Sequence, residues 1–137
     1  VPFAIIDTSV YVNHWEGVLD DQAFASVRTQ FVVRQSSVVL SELRRGARTP
    51  EARRLVEDLR RLSKIQWTPD TADWWNAALI IQKIGDDGNW DQRERQEFQN
   101  DALIALSARR YGATIITANR TDFELLAKEL HIRILLV

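Results

Sequence analysis

Tyr111-Gly112-Ala113-Thr114-Ile115-Ile116-Thr117-Ala118-Asn119-Arg120-Thr121-Asp122-Phe123 contains the end of one helix, a strand and the start of the next helix. Ala113–Thr117 is a continuous run rather than an alternating one, the pattern of a strand buried on both faces of a parallel sheet. Gly112 stands where a long helix from about Asp91 to Tyr111 needs a residue that accepts left-handed backbone. Thr121-Asp122-Phe123-Glu124 reads as a capping box opening another helix.

Outward from this stretch, Phe3–Ile6 and Ile132–Val137 are continuous runs of the same kind. Phe31–Arg34 and Lys64–Trp67 complete a set of five strands. Thr49-Pro50 gives a cap followed by proline at the first helical position, and Ala52, Leu55, Val56, Leu59 and Leu62 continue on one face. A second helix follows Pro69-Asp70 and carries Trp74, Trp75, Ala78, Leu79 and Ile81. Gly85-Asp86-Asp87-Gly88-Asn89 is the strongest loop signal in the chain. Strands alternating with helices, with no repeat or linker, predict one α/β domain over residues 1–137. Its expected architecture is a three-layer α/β/α sandwich on a central parallel sheet of about five strands.

The chain of 137 residues is 45% hydrophobic and 27% charged, the balance of a globular domain with one core. No apolar run approaches the roughly 20 residues of a membrane span, and no signal-peptide pattern opens the chain. Cysteine is absent, which excludes disulfides, thiolate metal sites and cysteine nucleophiles. These features fit a cytoplasmic protein without membrane contact. Net charge is -1, yet residues 41–64 hold eight basic residues against four acidic ones. That local excess suits either a phosphate-facing surface or a solvated helix face.

Four acids fall at telling places. Asp7 ends the first strand, where open parallel sheets bind ligands; it could equally cap the following helix. Glu42 sits among Val38, Val39 and Leu43 and is open to two readings, a site carboxylate or an ion pair with Arg45 or Arg48. Asp101 shares a helix face with Ile104, Ala105 and Ala108, carries a helix-interior penalty and has no basic residue within a turn. Asp122 follows the fourth strand in a first helical turn, with Asn119 as a neutral alternative ligand nearby. Three acids after three strands, and one on a helix leading into a strand, would converge at one sheet edge. Oxygen-only ligands suit Mg²⁺ or Mn²⁺, whereas His14 and His131 lack zinc-site company and read as structural.

In Ile6-Asp7-Thr8-Ser9, Ser41-Glu42-Leu43-Arg44-Arg45-Gly46, Asn100-Asp101-Ala102-Leu103-Ile104-Ala105 and Thr117-Ala118-Asn119-Arg120-Thr121-Asp122-Phe123, the chain resembles the PIN-domain ribonucleases. Within that family it resembles the toxins of bacterial VapBC toxin–antitoxin systems. The resemblance covers essentially the whole chain. It implies a PIN-like fold and a Mg²⁺- or Mn²⁺-dependent endoribonuclease, a homodimer, held by a cognate antitoxin. It makes Asp7, Asp101 and Asp122 metal ligands, Glu42 a fourth site acid, and Ser9 and Thr117 supporting hydroxyls. Asn119 stands where many relatives place another acid, which leaves a second metal position open.

On this reading, metal-bound water would attack a backbone phosphate of RNA, with Arg44, Arg45 and Arg48 steering it. Trp15, Trp74 and Trp75 are candidates for an antitoxin groove, and the Gly85–Trp90 loop for covering the site or meeting a partner. Two rivals stand beside it. A phosphatase or phosphotransfer domain would want an aspartate at position nine, where Ser9 stands, and a lysine after a strand. A PIN-fold binding module would keep the partner contacts with weak or absent catalysis.

Overall fold

Two of the continuous runs become the middle of a parallel sheet. In the computed structural model, which describes residues 1–137, β1 (Phe3–Ile6) lies beside β5 (Thr114–Thr117) with Ile5 opposite Ile115 and Ile6 opposite Ile116. Ala4, Ile5, Ile115 and Ile116 are fully buried, as expected for strands covered on both faces. On the flanks lie β2 (Val32–Val33) against β1 and β6 (Arg133–Leu136) against β5, giving the order β2-β1-β5-β6. The β6 run does not have two covered faces: its residues alternate between exposed and half-buried, because it is an edge strand.

The central sheet has four strands rather than about five. After β2 the chain makes one more bond to β1, from Arg34 N to Ala4 O at 2.9 Å, and then turns away. Gln35–Ser36, a strand the sequence pattern does not reveal, forms β3 and pairs in parallel with β4 (Gln66–Trp67) as a separate two-stranded ladder. Ser36 then caps the next helix, its hydroxyl accepting from Val38 N and Val39 N, so β3 cannot run longer.

Helices flank the sheet to make the α/β/α layers: α1 (Thr8–Trp15), α2 (Asp21–Gln30), α3 (Ser37–Gly46), α4 (Pro50–Leu62), α5 (Thr71–Gly88), α6 (Gln92–Glu97), α7 (Gln99–Tyr111) and α8 (Arg120–Leu130). Thr49 and Asp70 cap α4 and α5 as their sequences predict. The expected loop at Gly85–Asn89 is instead the last turn of α5, closed by Asn89 in left-handed backbone at φ 53°. Its glycines serve close approach rather than a turn. A Cβ on Gly85 would lie 2.9 Å from the Arg95 guanidinium carbon, and one on Gly88 2.8 Å from Trp90 Nε1.

The long helix expected from Asp91 to Tyr111 is broken at Phe98 into α6 and α7, while Gly112 closes it in left-handed backbone as expected. Every residue from Ala102 to Ala108 is buried, so α7 is a central helix packed on nearly all sides. No helix is long and apolar enough to cross a membrane.

Candidate functional site

β1 and β5 end side by side, so the residues after Ile6 and Thr117 share one edge. Asp7 stays in the ladder through its N–H, which donates to Ile116 O at 2.9 Å. It is the backbone N-cap of α1, but its carboxylate makes no capping bond. Oδ2 is held instead by two hydroxyls, Ser9 Oγ at 2.7 Å and Thr117 Oγ1 at 2.9 Å. Those hydroxyls are themselves fixed, accepting from Ala118 N at 3.1 Å and Asn119 N at 2.9 Å respectively. Asp7 is only 4% exposed, so its orientation is set by buried partners.

Glu42 on α3 accepts from Thr8 Oγ1 at 2.9 Å. Its alternative ion pair with Arg45 or Arg48 does not form, and the neighbouring Arg44 reaches Glu57 at 3.8 Å. Thr8 is a site-supporting residue that sequence reasoning missed. A hydroxyl directly after Asp7, at the open end of a helix, was the available signal.

Asp101 differs from its expected setting in one respect. Because the helix restarts at Gln99, Asp101 lies in the first turn of α7, where the dipole favours a carboxylate by about 0.3–1 kcal/mol. The helix-interior penalty therefore disappears, but the burial penalty does not. Burial, a hydrogen bond to Asp122 and the negative charges of Asp7, Asp122 and Glu42 push its carboxyl from 3.8 up to about 9. Like-charge crowding in a desolvated place outweighs the dipole.

Asp122 lies in the first turn of α8, capped by Asn119 rather than by Thr121. Asn119 Oδ1 accepts from Asp122 N at 3.2 Å, and Asn119 Nδ2 donates to Asp122 Oδ2 at 3.1 Å. Glu124, the expected partner in the capping box, pairs with Arg120 at 3.0 Å instead. Both ends of the Asn119 amide thus serve Asp122, which it positions as an orienting neighbour.

All four acids therefore interact, and none makes an ion pair with a basic side chain. No three acidic or histidine side chains lie close enough together to form a group that could hold a metal ion. Charge is felt over several ångströms, whereas a coordination shell needs oxygens about 2 Å from one point. A self-repelling, oxygen-only set fits Mg²⁺ or Mn²⁺ in chemistry. The histidines stay outside it. His14 stacks on Phe24 at 4.0 Å, and His131 closes α8 in left-handed backbone.

Residues 4–129 match the model of the PIN domain. The chain belongs to the PIN-domain family. No curated protein matches it in sequence. Among solved structures it is similar to VapBC-1 from nontypeable Haemophilus influenzae, at 17% identity over 98% of this chain and 97% of that one, with a TM-score of 0.70. VapBC2 from Rickettsia felis, bound to a DNA fragment from their promoter, is 20% identical over 98% of both chains, with a TM-score of 0.66. VapBC-5 from Mycobacterium tuberculosis, a member of the VapBC family of toxin–antitoxin systems, is 22% identical over the whole of both chains, with a TM-score of 0.62. At such identities the likeness is one of fold.

Beside Thr8 and Glu42, this PIN domain has a groove of about 540 Å³ between α1, α3 and α4, walled by Val12, Trp15, Leu43, Leu55 and Val56. The three tryptophans expected to share a groove do not. Trp15 borders this one, while Trp74 borders a separate cleft with Asn100 and Leu103, and Trp75 is exposed. The last two ride on α5, which packs against α7 rather than near α4.

Proposed function

We propose that this PIN domain is a Mg²⁺- or Mn²⁺-dependent endoribonuclease and the toxin of a toxin–antitoxin pair. The observation that supports the reading is the placing of Asp7 and Asp122 just after the adjacent strands β1 and β5 of a PIN-domain chain, with Asp101 near them and no basic partner for any of these acids. Acids left uncompensated in this way attract a cation. Asp7, Asp101 and Asp122 would hold the metal, with Glu42 orienting a water or serving as an outer ligand. When bound, the ion supplies a water acidified toward neutral pH and positive charge for the phosphorane-like transition state.

The chain's own contribution is positioning. Ser9 and Thr117 fix one oxygen of Asp7. Thr8 aims Glu42, and Asn119 aims Asp122. Arg45 and Arg48, on the α3 side of the site, would meet backbone phosphates, with Arg44 shared between phosphate and Glu57. The groove beside Glu42 has the apolar walls that an antitoxin helix would need. Homodimerisation and a cytoplasmic location belong to the same reading.

Purified protein incubated with single-stranded RNA should cut it with Mn²⁺ and not with EDTA, and Asp101→Asn should be inactive yet folded. Full activity of Asp101→Asn would overturn the site assignment. One observation favours a second reading, a binding module with little catalysis: no group of three or more acidic or histidine side chains that could hold a metal ion is present. Calorimetry with Mn²⁺ separates the two, since a binding module would show no carboxylate-dependent uptake. Growth arrest on expression, relieved by the product of an adjacent small reading frame, would mark a toxin rather than a housekeeping nuclease.

A further inference from the structure

At the flank of the sheet, a cleft of about 270 Å³ opens between α1, α2 and the C-terminal end of α4. Arg28, Arg34 and Lys64 line it, and no carboxylate does. These three make no ion pair, unlike Arg60, Arg61, Lys83, Arg93 and Arg110; other basic residues are also unpaired, but these three line one cavity together. Arg34 is held over the Phe3 ring at 5.3 Å, which fixes its guanidinium at the rim. In a chain of net charge -1, three unpaired cations around one cavity form a local positive potential suited to an anion.

The inner wall supplies the second observation. Gln35 is 8% exposed and lines the cleft; its Nε2 donates to Tyr11 Oη at 2.6 Å. Its Oε1 is buried and has no hydrogen-bond partner. Buried amide oxygens are seldom left so. Turning the amide over only exchanges the need: Tyr11 would then donate to Oε1 and leave Nε2 without an acceptor. Tyr11 is itself buried, and that burial pushes its phenol up to about 12, so it is a neutral hydroxyl on the cleft wall. Val33 and Leu59 add apolar surface.

We infer that this cleft binds a nucleotide, with its phosphate among Arg28, Arg34 and Lys64 and its base or sugar against the wall of Val33, Leu59 and Gln35. A bare phosphate would leave the apolar wall and the amide unused. A nucleotide carries the anion, the flat apolar face and the hydrogen-bonding edge together. A free nucleotide and one residue of an RNA strand present the same chemistry, and the inference does not depend on the nuclease reading.

Calorimetry in EDTA, so that no RNA is cut, tests it with inorganic phosphate, AMP and a short single-stranded RNA as probes. The variants are Gln35→Leu and the double variant Arg28→Met with Lys64→Met; Arg93→Met, paired with Glu97 on α6, is the control. Saturable AMP binding weakened about tenfold or more in both cleft variants, with phosphate weaker than AMP, supports a free nucleotide. Saturation by RNA alone with the same sensitivity supports a strand. Melting curves confirm that each variant is folded; Arg28 and Lys64 are exposed, so their replacement leaves the core intact. Absence of saturable binding by AMP and RNA would overturn the inference. So would binding equal in all variants, or preference for an acidic peptide over both, which would make the cleft a protein-docking site.

Discussion

Asp73 and Asp101 both lie in the first turn of a helix, on the packed pair α5 and α7, yet their surroundings are opposite. Asp73 sits in a reciprocal capping box with Asp70, and its Oδ2 accepts from Arg110 at 2.6 Å. Arg110 also reaches Asp70 at 2.7 Å; a backbone hydrogen bond from Asp73 and that guanidinium hold Asp70 below the usual carboxylate range. Nothing there awaits a further partner. Asp101 instead feels the negative charges of Asp7, Asp122 and Glu42, and none of the four acids pairs with a basic side chain. The first cluster is finished structure, whereas on the proposed reading the second is completed by a cation.

The largest expected break of this contrast is Asp101→Asn. RNA cleavage should fall by several orders of magnitude while the metal-free protein melts at a higher temperature than the parent, because the cost of burying a carboxyl beside other acids has been removed. Loss of activity with lower stability would mean that Asp101 is structural after all. Thr117→Val keeps shape but drops the bond to Asp7 Oδ2, and should weaken Mn²⁺ affinity by about 10–100-fold, read by calorimetry.

The pH response should follow the raised carboxyl. Its folded value, about 9, lies above the unfolded 3.8, so its stabilising contribution is complete below the ordinary carboxylate range and is lost as pH rises through about 9. The melting temperature without metal should therefore decline by several degrees between about pH 5 and about pH 9, and Asp101→Asn should flatten that slope. Smallest is Asp73→Ala, which should cost about 1–2 kcal/mol of stability in denaturant titration through the lost cap and the unpaired arginine. Specific cleavage should stay at the parental level. A large loss of activity there would erase the distinction between the two clusters.

The legible parts of the fold were those dictated by local chemistry: Phe3–Ile6 as a buried strand, Thr49-Pro50 and Asp70 as helix starts, and Gly112 as a terminus. What escaped depended on partners distant in sequence. Gly85 and Gly88 look like loop residues until Arg95 and Trp90 are seen to need the space. Gln35–Ser36 is a strand only because Gln66–Trp67 lies beside it. In the site, the places of Asp7 and Asp122 just after strands are readable from sequence, whereas the helix-interior setting expected for Asp101 is not what the structure shows. Its helix begins two residues earlier rather than ten, so burial and neighbouring acids rather than propensity set it apart. The choice of Asn119 over Thr121 as the cap turned on which oxygen reaches Asp122 N, a matter of ångströms that no pattern encodes.

The pairing of β1 with β5 also sets a timetable. Asp7 and its partner hydroxyl on Thr117 are 110 positions apart, and Asp122 is later still. Long-range pairing of this kind forms late and slowly. The edge between β1 and β5 therefore assembles only once β5 and the first turn of α8 have joined β1.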